Sequence, residues 1–102
     1  MSKELAKRVI KRMLENGKRY TAQELSDAAG LQENDRTAPV ARKIILGLIE
    51  DGNVIGSNSA GYQMLSSGKE IQQYLNALLK RQMGISKRIQ AVYDAAQGKG
   101  LL

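Results

Sequence analysis

The residues with the clearest chemical potential surround the only proline of the chain. Arg36 and Thr37 precede Ala38-Pro39, and Arg42 and Lys43 follow one turn later. If Ala41, Ile45 and Leu48 face a core, then Pro39, Arg42 and Lys43 face outward on the same helix. A guanidinium fork matches the O6/N7 edge of guanine, which makes Arg42 the candidate for reading a base. Lys43, a point charge, suits a phosphate. Arg36 and Thr37 sit at the helix start, where backbone N–H groups are also expected to meet a phosphate. The same residues equally describe an ordinary helical unit with a solvated face.

Other chemistries lack their residues. The chain has no Cys and no His. Thiolate metal sites, imidazole bases, Cys nucleophiles and the Ser-His-Asp triad are therefore excluded. No cluster of Asp and Glu suggests a carboxylate-only metal site, and no Gly-rich phosphate loop occurs. No catalytic residue, metal or cofactor is expected, and the chain does not read as an enzyme. Tyr20, Tyr62, Tyr74 and Tyr93 are the only aromatics and fall singly. Proteins that bind single strands or RNA stack bases on exposed aromatics, so that class is disfavoured.

Charge favours a polyanionic partner. The net charge is +6, and it is unevenly placed. Residues 1–20 hold seven basic and two acidic groups, residues 21–35 none and four, and residues 69–102 six and two. The basic face of the first helix, Lys7, Arg8, Lys11 and Arg12, continued by Lys18 and Arg19, reads mainly as a solubilising surface. The opening MSKELAKRVIKRM is charged throughout and is not expected to be a signal peptide. No apolar run reaches the length of a membrane span. A cytoplasmic protein with no membrane partner is expected.

These residues must be positioned by a series of short elements. Residues 3–16 predict a helix with one apolar stripe, Leu5, Ala6, Val9, Ile10, Met13 and Leu14. Ser2 can cap it and Gly17 can close it. Tyr20 is a candidate for a very short strand. A second helix starts after Thr21, which has capping-box spacing with Glu24, and ends at Gly30. Leu31 to Arg36 is a polar connection. A third helix is predicted from about Ala38 to Asp51, with Thr37 as N-cap and Pro39 in its first turn. Gly47 inside it suggests the close approach of another backbone. Val54–Ser57 and Tyr62–Leu65 predict two strands joined by the four residues Asn58 to Gly61, a hairpin. Ser57, Asn58 and Ser59 at its tip are small and polar. They suit either a contact to a phosphate or minor-groove edge, or a plain tight turn.

The last element is long. After Ser67, which has capping-box spacing with Glu70, a helix continues to about Gln97. Ile71, Leu75, Leu78, Gln82, Ile85, Ile89 and Val92 recur at alternating steps of four and three, a heptad seam with one polar position. Such a stripe must be covered, either by folding back or by pairing with a second copy, and pairing is the favoured reading. The expected fold class is mainly α with a small β-hairpin (α+β), a helix-turn-helix and hairpin followed by a long coiled-coil helix. Residues 1–66 form the first domain, 67–98 the dimerisation helix and 99–102 a flexible tail.

Residues 14–65 resemble the winged-helix domain of the biotin-repressor type. The likeness rests on LENGKRYTAQELSDAAGL, on ARKIILGLIEDGNVIG, and on Gly61-Tyr62 opening the last strand. GYQMLSSGKEIQQYLNALLKRQMGISKRI is similar to small phage and prophage winged-helix proteins, and the plan is also similar to small archaeal chromatin-type proteins. The resemblance implies a DNA-binding regulator of transcription, in which Thr37, Ala38, Arg42 and Lys43 face the groove. No ligase or ligand domain follows, so biotin chemistry is not implied. The expected partner is double-stranded DNA, bound as a homodimer. The alternative is a module that binds a host protein, for which the acidic patch Glu24, Asp27, Glu33 and Asp35 is the best argument.

Overall fold

The computed structural model describes residues 2–102. The chain forms α1 (Lys3–Leu14), α2 (Ala22–Ala28), α3 (Pro39–Glu50), β1 (Ile55–Asn58), β2 (Gly61–Met64) and α4 (Gly68–Gly98). It is mainly helical, with one antiparallel hairpin and a long C-terminal helix. It divides into two units, at Ser67/Gly68.

Local signals set most of the helix ends. The Ser2 side chain accepts from the Leu5 N–H at 3.2 Å and caps α1. At α2 the expected capping box is complete: Thr21 Oγ1 accepts from the Glu24 N–H, and Glu24 Oε1 accepts from the Thr21 N–H. At the end of α3, Gly52 adopts φ +105°. Its N–H reaches Ile49 O and the Asn53 N–H reaches Leu48 O, the paired bonds of a Schellman motif.

The three helices bury one aliphatic core. Ala6, Ile10 and Leu14 come from α1. Leu25 and Ala29 come from α2 and its end, Ala41, Ile45 and Leu48 from α3, and Ile55 from the hairpin. The outer members of the predicted stripes, Leu5, Val40 and Ile49, remain exposed. A buried stripe on so short a helix is narrower than its apolar pattern. Lys7 Nζ on α1 meets Asp51 Oδ2 at the end of α3 at 2.6 Å, tying the outer ends of the two helices. The hydrogen bond that Lys7 donates to Asp51 leads the effects that raise the Lys7 pKa.

The hairpin keeps the expected register, Ser57 opposite Tyr62, and each strand lies one residue nearer the turn than the sequence expectation. Its strands are Ile55–Asn58 and Gly61–Met64, and only Ser59 and Ala60 lie outside the pairing. Asn58 shortens the turn, its side chain accepting from the Ala60 N–H at 2.8 Å. The expected short strand at Tyr20 is a single bridge to Tyr62, with both N–H···O bonds formed at 2.9 and 2.7 Å. That bridge joins the hairpin to the chain between α1 and α2.

Gly61 makes the bridge sterically feasible. A Cβ there would lie 2.3 Å from the Tyr20 carbonyl oxygen, and φ is +127°. Gly47 has no comparable reason. A Cβ at Gly47 would meet only Lys7 Nζ, at 3.9 Å, so the expected backbone approach is absent.

Two opposite stability effects follow. Gly61→Ala should cost about 2 kcal/mol or more, from strain plus backbone overlap. Gly47→Ala should stabilise by about 0.5–1 kcal/mol, the helix-propensity difference. Urea unfolding of the two variants checks both signs. Equal destabilisation would contradict this account of α3.

Candidate nucleic-acid interface

The entry to α3 is built differently from the sequence expectation. Pro39 disfavours right-handed helical geometry at the residue before it. Ala38 takes φ 47°, ψ 63°, a left-handed conformation, and α3 begins at Pro39. Ala38, not Thr37, is the N-cap, and no side chain on it caps the helix. Thr37 turns back on the loop, its N–H and hydroxyl both donating to Asp35 Oδ1 at 2.9 and 2.8 Å. The Ala38 side chain is fully buried in the core. Its expected place facing a groove is therefore corrected: a buried methyl group cannot meet a base edge.

The cap is supplied from a distance by Glu33. Its Oε1 accepts from the Val40 N–H at 2.7 Å, and its Oε2 accepts from the Ala41 N–H at 3.2 Å and from the Ser26 hydroxyl at 2.7 Å. Ser26 is the buried polar residue of the core. One carboxylate thus satisfies a buried hydroxyl on α2 and two N–H groups at the start of α3. Pro39 has no N–H, and the Arg42 N–H reaches Ala38 O. The N-terminal donors of α3 are accounted for by the protein itself. The expectation that a phosphate meets them is overturned, because an internal anion already stands there.

Burial pushes the Glu33 carboxyl up. The hydrogen bonds from Ser26, Val40 and Ala41 outweigh burial, and the net pKa is lowered. Asp35 is also lowered, chiefly by the Thr37 N–H and hydroxyl; burial opposes them, and the charge of Arg42 adds the smallest effect.

Arg36, Thr37, Pro39, Arg42 and Lys43 are exposed. The guanidinium of Arg42 is nonetheless engaged: its Nε donates to Thr37 O, and its Nη1 donates to the Tyr62 hydroxyl at 3.2 Å. Its Cζ lies 6.0 Å from the Tyr62 ring centroid, at the outer limit of a cation–π contact. Arg42 therefore links the start of α3 to β2. Ser57 is half-buried in β1 and pairs in register with Tyr62, while Asn58 and Ser59 are exposed at the tip. Arg36, Lys43 and the hairpin tip so remain open within the N-terminal unit.

Comparison with protein-family models, curated proteins and solved structures finds no match. The reading of this surface rests on its own geometry.

Three residues organise the surface without a local sequence signal. Glu33 lies seven residues before its helix N–H partner. Tyr62 meets Arg42 across twenty residues. Arg19, read by sequence as part of a solubilising face, donates to Gly61 O at 3.0 Å and to Gln63 Oε1 at 2.6 Å. The Gln63 amide returns to Gly17 O at 2.8 Å. Arg19 anchors the hairpin and is not an open cation. The acidic patch is likewise engaged internally: Glu24 in its capping box, Asp27 with Gln23, Glu33 at α3 and Asp35 with Thr37. Among the described residues no group of His, Cys, Asp and Glu is arranged to hold a metal.

The lowered Glu33 pKa fixes the sign of a pH effect. Its stabilising contribution is complete above the ordinary glutamate value of about 4.3 and is lost as pH falls through the lower folded value. Glu33→Ala should cost about 1–2 kcal/mol near neutral pH, comparable with loss of a helix cap. Its deficit relative to the parent should shrink in acid, as measured by urea midpoints across pH. A deficit constant down to full protonation would remove the charge from this explanation.

Proposed function

We propose that the chain binds double-stranded DNA as a homodimer, residues 1–66 serving as a winged helix and residues 67–98 as the dimerisation helix. A phage-type regulator of transcription is the role that fits best. The observation that carries the reading is the exposed cationic start of α3, with Arg36, Arg42 and Lys43 beside a hairpin that Tyr20, Arg19 and Arg42 hold in place.

In helix-turn-helix units the second helix enters the major groove with its N-terminal half toward base edges. Here that helix is α3, and α2 and α3 are held in mutual register by Glu33 and Ser26. Arg36 and Lys43 serve as phosphate contacts. Arg42 is preset against Tyr62 and exchanges that hydroxyl for guanine O6/N7 on binding. Asn58 and Ser59 carry no charge, so the hairpin tip adds little electrostatic affinity.

The C-terminal helix supports the dimer. α4 has no buried residue, and Ile89 and Val92 are 65% and 63% exposed. Burying one such side chain is worth about 1.5–3 kcal/mol, so a stripe of this length is a strong drive to associate. Among the described residues no helix is long and apolar enough to cross a membrane.

Binding to a duplex should weaken steeply with salt, with a slope of log K against log salt near −0.9 per phosphate neutralised. Lys43→Ala should weaken all sequences about equally and make the slope shallower by about 1. Arg42→Ala should relax preference at one base pair, at a cost of about 1–3 kcal/mol. Anisotropy titrations of a selected duplex at several salt concentrations read all three. A flat salt response of the parent protein would end the reading.

A further inference from the structure

The residues flanking the stripe on α4 determine how two copies would pair. Ile71, Leu78, Ile85 and Val92 share one seam position, and Leu75, Gln82, Ile89 and Ala96 the other, four and three residues apart in turn. The charged residues Lys69, Lys80, Lys87 and Asp94 fall on the opposite side of the helix at 3.6-residue spacing. Arg81 and Arg88 each immediately precede a seam residue and form one flank. Gln72, Leu79, Ser86 and Tyr93 form the other.

The seam reads the same in both chain directions, since its steps are symmetric about residues 83 and 84. Apolar pattern alone therefore permits parallel and antiparallel pairing equally. Two features break that symmetry.

The first is Gln82. In a parallel pair it faces Gln82 of the second copy, and the two amides can donate and accept between themselves. In the symmetric antiparallel pair it faces Ile85, leaving each amide beside an alkyl group and without a partner in a closed interface. The second is the arginine flank. Antiparallel pairing sets like flanks together, so Arg81 faces Arg88 of the other copy, and the reverse contact repeats it. Parallel pairing sets opposite flanks together. Arg88 then lies by Tyr93, Arg81 by Ser86, and Tyr74 by Leu79. That arrangement replaces two like-charge contacts with two cation–π pairs and apolar cover.

From these features we infer that α4 pairs with a second copy of itself in parallel, in register at Gln82, as a two-stranded coiled coil. The inference rests on the dimer reading above and deepens it by fixing orientation. Parallel pairing brings the Ser67–Gly68 junctions of both chains to one end. Antiparallel pairing would set them apart by about the helix length, roughly 46 Å for 31 residues.

The absence of native Cys makes the test direct. Lys69→Cys lies off the seam, so a nitroxide attached there leaves the proposed interface intact. Mass is measured by light scattering and label separation by electron–electron double resonance, both on the full chain. The expected result is a mass of two chains and a label distance below roughly 25 Å, about two helix diameters. A two-chain mass with a distance near about 45 Å would overturn the orientation and leave the dimer standing. A one-chain mass would overturn the dimer reading itself, and a four-chain mass the two-stranded form. A second pair of variants checks the register. Leu75→Cys alone should oxidise readily to a cross-linked dimer, whereas a mixture of Leu75→Cys and Val92→Cys chains should give no preferred mixed product. Predominance of the mixed product would again overturn parallel pairing.

Discussion

A single carboxylate governs the geometry of the N-terminal unit. Glu33 takes the hydroxyl of Ser26 on α2 and two N–H groups at the start of α3. Ser26 is fully buried, so without Glu33 its hydroxyl would be an unsatisfied group inside an aliphatic core. The α3 donors would be left open at the same time. A single side chain therefore fixes the join between the two helices, and everything displayed from α3 inherits that placement.

The join has a chemical consequence for any ligand. The start of a helix normally favours an anion. In this chain that favourable place is filled from within, so the remaining attraction for a polyanion resides in the side chains of Arg36, Arg42 and Lys43. In the DNA reading proposed above, Arg36 and Lys43 take phosphates and the Arg42 fork takes a base edge. Arg42 is held by Tyr62 and by Thr37 O, so it starts from an ordered position. Preorganisation of that kind reduces the ordering cost of the contact proposed for it.

The hairpin and the helices depend on each other through residues 19 to 21. The Tyr20–Tyr62 bridge, the Arg19 bonds to Gly61 O and Gln63, and the Thr21 cap of α2 are adjacent in the chain. A two-stranded hairpin is marginal by itself. The bridge and the arginine connect it to the helical core, with Ile55 buried beneath. α4 follows a different rule. It has no buried residue of its own, whereas helical stability comes mostly from packing an apolar face. In the function proposed above, the two units divide two tasks, a folded presenting surface and an associating helix.

Helix identity, the two side-chain caps Ser2 and Thr21 and the central core positions Ala6, Ile10, Leu14, Leu25, Ala41, Ile45 and Leu48 were legible in the sequence. Each is a local or periodic signal, written within a few residues by the 3.6-residue repeat and by capping chemistry. The exposed residues Arg36, Pro39, Arg42 and Lys43 followed from the same periodicity. What only the tertiary structure decided is non-local. Glu33 capping α3, Tyr62 holding Arg42, Arg19 anchoring the hairpin and the burial of Ala38 all depend on segments meeting across loops, and no spacing rule encodes such meetings. The hairpin keeps the register its strands and turn length imply, Ser57 opposite Tyr62, and what tertiary structure adds is the bridge that holds it to Tyr20.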